Sequence, residues 1–302
     1  MTVIRLCPWS DTPGLLSEGP RWHEERQELL WVDILGKQVH RGTLDAEGAL
    51  QKLSTITLDR DVGAVAPAEA GGYVAAAGLG YLQITLDGTV RELAQPAAAH
   101  PEVRMNDGAC DPQGRFWAGT VAYDETPGAA SLYRLELDGS TTTMLTGLTI
   151  SNGIGWSPDG DTMYLNDSGS GHVFAFDFDG PTGAISDQRT LVRLETPGIV
   201  PDGLTVDADG GIWVALWGGG AVHRYLPDGT LADQVEMPVE RPTSCAFGGP
   251  DRSTLFVTSA RNDLSDEALE RQPFAGRLFA VEGLGVRGMP ALPYRGRLSD
   301  PD

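Results

Sequence analysis

The sequence predicts an all-β protein, a six-bladed β-propeller with four-stranded blades. A short pattern, in which a glycine or serine follows a leading residue and opens an alternating run, occurs six times, with leading residues at 18, 62, 107, 152, 202 and 243. The steps are 44, 45, 45, 50 and 41 residues, and a period of roughly 40–50 residues is typical of propellers and solenoids. Short runs rich in aromatic and β-branched residues lie between these positions, as in strands.

Each repeat continues with two further predicted strands. The second strands are the runs 28–33, 72–76, 115–119, 162–166, 211–215 and 254–258. The third strands are the runs 38–41, 81–86, 132–137, 172–176, 221–225 and 277–281. Four of the third strands lead into an Asp-Gly pair, at 87–88, 138–139, 179–180 and 228–229. Asp-Gly between alternating strands indicates a hairpin, so a fourth strand is expected after it.

The sixth repeat differs because residues 283–288 (GLGVRG) replace a fourth strand. Residues 3–6 (VIRL) precede the first repeat and form a spare strand. We therefore expect the N-terminal strand to complete the sixth blade and close the ring. No linker interrupts the repeats, so residues 1–302 are expected to form one domain. The only short helical pattern is at 266–271, inside a long loop.

The composition favours a cation over nucleic acid as a partner. Acidic residues outnumber basic ones 42 to 22, which gives a formal charge of −20, and such a field repels nucleic acid and anionic membranes. No segment reaches about 18 consecutive apolar residues, and the N-terminus lacks the apolar run of a signal peptide. We expect a cytoplasmic protein. Cys110 and Cys245 fall within first strands and are expected to be buried, and with Cys7 they form no CxxC motif.

Three oxygen-bearing side chains are expected to meet at one end of the central channel. The first strand of each blade lines this channel, so the leading residues lie at one end, here called the mouth. Glu18, Asn152 and Asp202 supply two carboxylates and an amide there. Such donors suit a hard divalent cation, with Ca²⁺ expected first and Mg²⁺, Mn²⁺ or Zn²⁺ as alternatives. The competing interpretation is that these side chains only cap turns.

Other polar residues are expected around the same mouth. Arg104 and Asn106 precede the third repeat and can bind hydroxyls or oxyanions of a polar ligand, although Arg104 alone could instead form a rim salt bridge. Asp33 and Asp167 end second strands and are expected to cap turns. Two long loops, 119–131 and 259–276, are candidate walls of the site. No GxSxG motif is present, which argues against a serine hydrolase, and the histidines show no HExxH spacing.

Taken together, these motifs resemble the SMP-30/gluconolactonase/regucalcin-like family. The matching segments, which are specific as an ordered set, are 18–22 (EGPRW), 104–108 (RMNDG), 114–120 (GRFWAGT), 151–153 (SNG), 201–203 (PDG), 243–249 (TSCAFGG) and 283–288 (GLGVRG). The resemblance implies a six-bladed propeller with one divalent cation on Glu18, Asn152 and Asp202, and substrate contacts on Arg104 and Asn106. Many family members hydrolyse sugar lactones. Where animal members carry a glutamate that touches substrate, this chain has Tyr123.

The sequence therefore predicts a metal-dependent hydrolase that opens a sugar lactone. In this hypothesis Asp202 is both a metal ligand and the general base, while Arg104, Asn106 and Tyr123 contact the substrate. A phosphotriesterase-like hydrolase on the same metal, or a non-catalytic calcium-binding propeller, remain alternatives, because fold alone does not choose among them.

Overall fold

The computed structural model describes residues 2–7, 13–45 and 48–298. These residues form six four-stranded antiparallel sheets arranged as a six-bladed β-propeller, which confirms the predicted fold. Blade 1 consists of β2 (Ser17–His23), β3 (Glu28–Asp33), β4 (Gln38–Leu44) and β5 (Leu50–Thr57). Blade 2 consists of β6 (Val62–Pro67), β7 (Tyr73–Ala77), β8 (Gly80–Ile84) and β9 (Val90–Ala94). Blade 3 consists of β10 (Val103–Cys110), β11 (Phe116–Ala122), β12 (Ala130–Leu135) and β13 (Thr141–Leu148).

Blades 4 and 5 follow the same order. Blade 4 consists of β14 (Ser151–Trp156), β15 (Thr162–Asp167), β16 (His172–Asp179) and β17 (Ala184–Arg193). Blade 5 consists of β18 (Val200–Val206), β19 (Ile212–Trp217), β20 (Ala221–Tyr225) and β21 (Leu231–Glu236). Within the described ranges, no helix is long and apolar enough to cross a membrane.

Blade 6 is formed by the last three strands of the chain and the N-terminal strand, as the sequence predicts. Its strands are β22 (Pro242–Gly248), β23 (Thr254–Ser259), β24 (Leu278–Glu282) and the N-terminal β1 (Val3–Cys7). β1 pairs antiparallel with β24 over five residue pairs, and Arg5 forms an ion pair with Glu282. The N-terminal strand therefore covers the edge that β24 would otherwise expose.

The two long loops differ in extent from their predicted bounds. In blade 3, β11 and β12 extend further than predicted, so the connecting loop is confined to 123–129. In blade 6, the connection from 260 to 277 contains the short helix α1 (Asp266–Arg271). Ser265 caps this helix, because its hydroxyl accepts a hydrogen bond from the Ala268 amide.

A bulge recurs at the same place in every innermost strand. The pairing register shifts near the leading residue in all six blades, for instance between Glu18 and Arg21 and between Pro201 and Leu204. A bulge bends the strand and redirects a side chain. Five of the six leading residues are followed by glycine, because backbones of neighbouring blades meet there. A Cβ on Gly153 would lie 2.4 Å from the Leu204 amide nitrogen.

Two blades are tied internally by a buried aspartate. The Asp111 carboxylate accepts hydrogen bonds from the Trp117 indole nitrogen at 2.9 Å and from Arg115 Nε at 2.5 Å. Asp207 makes the equivalent bonds in blade 5 and is fully buried. The carboxylates thus pair with cations and are not left as isolated buried charges. Cys110 and Cys245 are buried free thiols, as predicted.

A C-terminal segment, residues 287–297, crosses the face of the propeller opposite the mouth. We call it the C-terminal strap. Its backbone forms hydrogen bonds with blade 5 at Ala208, with blade 2 at Pro67 and with blade 3 at Gly114. Tyr294, within the strap, is fully buried, and its hydroxyl donates a hydrogen bond to the Glu136 carbonyl at 2.7 Å. Residues 289–292 also cover a cavity of about 200 Å³ at this end of the channel. The sequence pattern did not predict the strap.

Candidate active site

The leading residues meet in a ring at the mouth, and contacts between neighbouring blades close it. Thr243 Oγ1 donates to the Ser17 carbonyl at 2.6 Å, which joins blade 6 to blade 1. Asn106 Nδ2 donates to the Ser151 carbonyl at 3.0 Å, which joins blade 3 to blade 4. A Cβ on Gly63 would lie 2.3 Å from the Asn106 carbonyl oxygen, so blades 2 and 3 also touch here. The positions of the side chains at the mouth are therefore set by packing between blades.

The three predicted metal ligands are buried at this ring. Glu18 and Asp202 are each 5% exposed, and Asn152 is 6% exposed. The Asn152 side-chain amide donates a hydrogen bond to Asp202 Oδ1 across the boundary between blades 4 and 5. Glu18 comes from blade 1 and interacts electrostatically with Asp202. The structure thus brings together three residues that lie up to 184 positions apart, from 18 to 202, in the sequence.

One oxygen of this group has no hydrogen-bond partner. Asn152 donates through Nδ2 to Asp202 and to Ser168 Oγ, the latter at 3.1 Å. Its Oδ1 is buried, and no described residue donates to it. A buried acceptor without a partner is costly and unusual. An amide oxygen beside two carboxylates is also the donor type that binds hard divalent cations, so the residues present fit such a cation.

Two residues that the sequence analysis did not single out fix the position of Asp202. Asn166 Nδ2 donates to the Asp202 carbonyl at 2.6 Å, and Ser168 Oγ donates to the Pro201 carbonyl at 2.6 Å. Both are buried and belong to blade 4. Their only sequence signal is a polar side chain at the end of a second strand, which Asp167 shares.

Asp107 adds a third carboxylate to the ring. Burial raises the pKa of Glu18 well above its ordinary value, and the carboxylates of Asp202 and then Asp107 raise it further. Burial and then Asp107 also raise the pKa of Asp202, while the hydrogen bond from Asn152 opposes this effect. Like charges crowded in a buried channel repel each other, and a bound cation removes this cost. Asp107 was identified as a leading residue but not as a site residue.

Arg104 and Asn106 lie together at the mouth. Arg104 Nη1 donates to Asn106 Oδ1 at 2.9 Å and to the Met105 carbonyl at 3.1 Å. Burial lowers the pKa of Arg104, whereas Asp61, Tyr123, Glu18 and Asp202 each raise it. The guanidinium therefore interacts electrostatically with the ligand candidates Glu18 and Asp202 and also with Asp61, which is not a ligand candidate. The Asn106 side chain accepts the bond from Arg104 through Oδ1 and donates to the Ser151 carbonyl of blade 4 through Nδ2, so both polar atoms of its amide form hydrogen bonds.

Tyr123 follows β11 and reaches across to blade 2. Its side chain is 64% exposed, and its hydroxyl donates to Asp61 Oδ2 at 3.1 Å. Partial burial and the Asp61 carboxylate raise the pKa of Tyr123, so the phenol remains a donor at neutral pH. The structure thus places Tyr123 close enough to Arg104 for the two side chains to interact electrostatically. Asp61 was not identified from the sequence.

Asp33 and Asp167 cap turns, as predicted. Asp33 accepts hydrogen bonds from the amides of Leu15, Leu16 and Gly36. Asp167 Oδ1 accepts from the amides of Thr149 and Ile150. Both carboxylates therefore serve the local backbone. Among the described residues, no group of three or more His, Cys, Asp or Glu side chains is placed to hold a metal ion, so the candidate site depends on the Asn152 amide.

Comparison with known proteins agrees with this architecture. The SMP-30/gluconolactonase/LRE-like region model matches residues 16–261. Regucalcin of Danio rerio is 40% identical over 93% of this chain and 95% of its own length. Human regucalcin is 38% identical over 92% of this chain. The crystal structure of a calcium-binding protein, regucalcin from Agrobacterium tumefaciens, has a TM-score of 0.88 and 32% identity, and covers 95% of this chain and 96% of that one. The chain therefore belongs to the SMP-30/gluconolactonase/LRE-like family.

Proposed function

We propose that this protein is a divalent-metal-dependent lactonase that opens the ring ester of a sugar lactone. The observation that carries the proposal is the unpartnered Asn152 Oδ1, which lies beside the buried Asp202 carboxylate at the mouth of the channel. Family membership supports a hydrolase, since gluconolactonase is part of the family description.

Glu18, Asn152 and Asp202 would hold the cation. All three donors are oxygens, so we propose Ca²⁺ first, and Mg²⁺, Mn²⁺ and Zn²⁺ as alternatives to be compared. The calcium-binding regucalcin of known structure supports this order. When bound, a divalent cation at this position supplies Lewis-acid polarisation of the lactone carbonyl.

The remaining steps fall to residues of the chain. Asp202 is proposed as the general base that removes a proton from the attacking water, because its carboxylate lies at the mouth and accepts a hydrogen bond from Asn152, while Asn166 holds its backbone carbonyl. Arg104 is proposed to orient substrate oxygens, and Asn106 keeps the guanidinium in place. Tyr123 is proposed to contact the substrate from the rim of the mouth.

The surroundings suit a small neutral ligand. The formal charge of −20 disfavours nucleic acid and anionic membranes as partners, whereas a lactone carries no charge to be repelled. We also propose that the protein works in the cytoplasm.

Metal removal and restoration test the proposal. The protein is stripped with a chelator and assayed on aldonolactones with each of Ca²⁺, Mg²⁺, Mn²⁺ and Zn²⁺, and a phosphotriester substrate is included as a comparison. We expect lactone hydrolysis to disappear on stripping and to return with at least one cation. A matched variant pair sharpens the test: Glu18→Gln removes the negative charge of a proposed ligand, and Glu102→Gln removes the charge of an exposed carboxylate that is not a proposed ligand. Undiminished hydrolysis by the stripped protein would contradict the proposal.

A second candidate function is calcium binding without catalysis. The regucalcin relatives favour it, because the bacterial one is described as a calcium-binding protein. Calorimetric titration of the stripped protein with Ca²⁺, added to the same assays, separates the two functions: tight cation binding with no hydrolysis of any lactone or phosphotriester would support the second.

A further inference from the structure

Asp61 and Tyr123 form a polar pair at the rim of the mouth, on the side of blades 2 and 3. Asp61 directly precedes β6, and its backbone carbonyl accepts a hydrogen bond from the Gly78 amide at 2.9 Å. Tyr123 directly follows β11, and its backbone amide donates to the Glu102 carbonyl at 3.0 Å. Both residues are therefore held by strand ends, which position functional groups more accurately than loop tips do.

The Asp61 carboxylate forms no salt bridge within the described part of the chain, although Arg104 interacts with it electrostatically at longer range. Among the described residues, no Lys, Arg or His nitrogen lies within salt-bridge distance of Asp61. Its neighbour Arg60 pairs instead with Asp59 at 2.7 Å and with Glu92 at 3.5 Å. The Tyr123 hydroxyl is the one side-chain donor that the described structure gives to this carboxylate. An ionised carboxylate has room for several hydrogen bonds, so Asp61 has capacity left for a ligand.

Arg104 relates this pair to the candidate metal ligands. Its guanidinium interacts electrostatically with Asp61 and Tyr123 and also with Glu18 and Asp202. A ligand that reaches from Glu18 and Asp202 to Asp61 would therefore pass Arg104. In the lactonase proposed above, the ring carbonyl lies at the metal-ligand end. The part of the substrate that reaches Asp61 is then remote from the carbonyl.

We propose that Asp61 is a specificity-determining residue, whose carboxylate accepts a hydrogen bond from a hydroxyl group on the part of the lactone remote from the ring carbonyl. This inference rests on the proposed lactonase function. Tyr123 orients the carboxylate through its hydroxyl, and its largely exposed ring provides a face for the C–H groups of the sugar. The favoured substrates are lactones with an exocyclic hydroxyl group.

A pair of lactones tests the proposal directly. γ-Butyrolactone has no hydroxyl group, whereas D-galactono-1,4-lactone has ring hydroxyls and an exocyclic diol. We expect Asp61→Asn to lower the ratio of kcat/KM for the hydroxylated lactone to that for γ-butyrolactone by about tenfold or more, because a charged acceptor is lost. Asp59→Asn is the matched control, since this exposed carboxylate lies two residues before Asp61 and pairs with the adjacent Arg60. Its ratio should equal that of the parent.

A second variant separates the carboxylate from the phenol. Tyr123→Phe removes the hydrogen bond to Asp61 but keeps the carboxylate and the ring. We expect its ratio to fall less than that of Asp61→Asn. An equal or larger fall in Tyr123→Phe would assign the contact to the phenol and overturn the role of Asp61. An unchanged ratio in Asp61→Asn would overturn it as well.

A binding measurement keeps this proposal separable from the lactonase proposal. 1,4-Sorbitan has the ring and the exocyclic diol but no carbonyl, so calorimetry with the calcium-loaded protein reports ligand contacts without catalysis. We expect Asp61→Asn to weaken sorbitan binding by about tenfold and Asp59→Asn to leave it unchanged. If the parent hydrolyses no lactone, the lactonase proposal fails, and sorbitan affinity alone decides about Asp61. Equal affinity in parent and Asp61→Asn, or no binding to either, would overturn the proposal.

Discussion

The Trp213 indole nitrogen donates a hydrogen bond to the Asp207 carboxylate at 2.9 Å, from six residues further along the same blade. Trp117 and Asp111 repeat this relationship in blade 3 with the same distance and the same separation. In both of these blades an arginine also pairs with the aspartate: Arg115 with Asp111 in blade 3, and Arg224 with Asp207 in blade 5. The paired aspartates therefore anchor both the second strand and an arginine to the turn that follows the first strand.

Asp207→Asn is expected to destabilise the protein strongly. The substitution leaves the Arg224 guanidinium, which is 14% exposed, without its anionic partner. Removing one member of a buried ion pair costs about 3–5 kcal/mol. Urea denaturation measures the change in the free energy of unfolding. Asp228→Asn, in an exposed turn of the same blade, is the control and should change it by less than about 0.5 kcal/mol.

Loss of the negative charge on a proposed ligand is expected to abolish stabilisation by the cation. A ligand present at 100 times its Kd stabilises the folded state by about 2.7 kcal/mol. Calcium should therefore raise the melting temperature of the parent protein. We expect this increase to be lost in Glu18→Gln and in Asp202→Asn, and to persist in Glu102→Gln. Calorimetry that showed parental calcium affinity in both ligand variants would contradict the assignment of the site.

Deletion of residues 2–7 is expected to destabilise blade 6. The deletion removes β1, exposes the β24 edge and uncovers the core cluster against which Ile4 packs. Full burial of such a side chain corresponds to about 1.5–3 kcal/mol, so the partly buried Ile4 alone contributes less than this. Arg5→Ala, which removes the ion pair with Glu282 but keeps the strand, should cost less than about 1 kcal/mol. Thermal unfolding compares the two variants, and equal melting temperatures would show that the strand pairing contributes little.

The fold was predictable because its signal is repeated six times. Each repeat places an alternating run and a turn at the same spacing, so weak evidence in one blade was supported by the others. The ring closure was also predictable, because residues 3–6 were spare and blade 6 lacked a strand. The C-terminal strap was not, because its contacts are isolated backbone bridges and one buried tyrosine on blades distant in sequence, and these leave no periodic pattern.

The candidate site was predictable in part for the same reason. Glu18, Asn152 and Asp202 occupy equivalent repeat positions, so the repeat itself brought them together. Asp61, Asn166 and Ser168 were missed, because each acts through a contact with a neighbouring blade or strand. Such contacts depend on the angle between blades, which the sequence of one blade does not specify.

Gly153→Ala is expected to disturb the candidate metal site and the fold together. An added Cβ at this position would lie 2.4 Å from the Leu204 amide nitrogen and 2.7 Å from the Asp202 carbonyl oxygen. The backbones of blades 4 and 5 would have to separate, and overpacking of this kind costs about 1–3 kcal/mol. We expect reduced stability and weaker calcium binding, measured by urea denaturation and calorimetry. Gly139→Ala is a control for backbone strain without a clash: its φ of 86° also disfavours alanine, but an added Cβ meets no atom within 4 Å, so stability should fall while calcium affinity stays at the parental value.

Tyr294→Ala is expected to loosen the C-terminal strap. Tyr294 is fully buried, packs in the core cluster of blades 2 and 3, and bonds to the Glu136 carbonyl. Truncation of a large buried aromatic side chain costs about 3–5 kcal/mol. Tyr294→Phe, which keeps the ring, should cost about 1 kcal/mol. Hydrogen exchange at the amides of Arg295 and Arg297 would report the loosening, and unchanged protection in Tyr294→Ala would contradict it.

Because all six innermost strands share the bulge, the side chain at the leading position can differ from blade to blade. Each blade contributes one leading residue to the mouth, and that residue's side chain is not needed for the strand pairing of its own blade. Val62 and Thr243 already show that an apolar or a neutral polar side chain is compatible with the same backbone. A new set of functional groups can therefore arise by replacing one residue in one blade at a time. This independence gives a physical reason why one propeller scaffold can diverge toward several reactions without losing its fold.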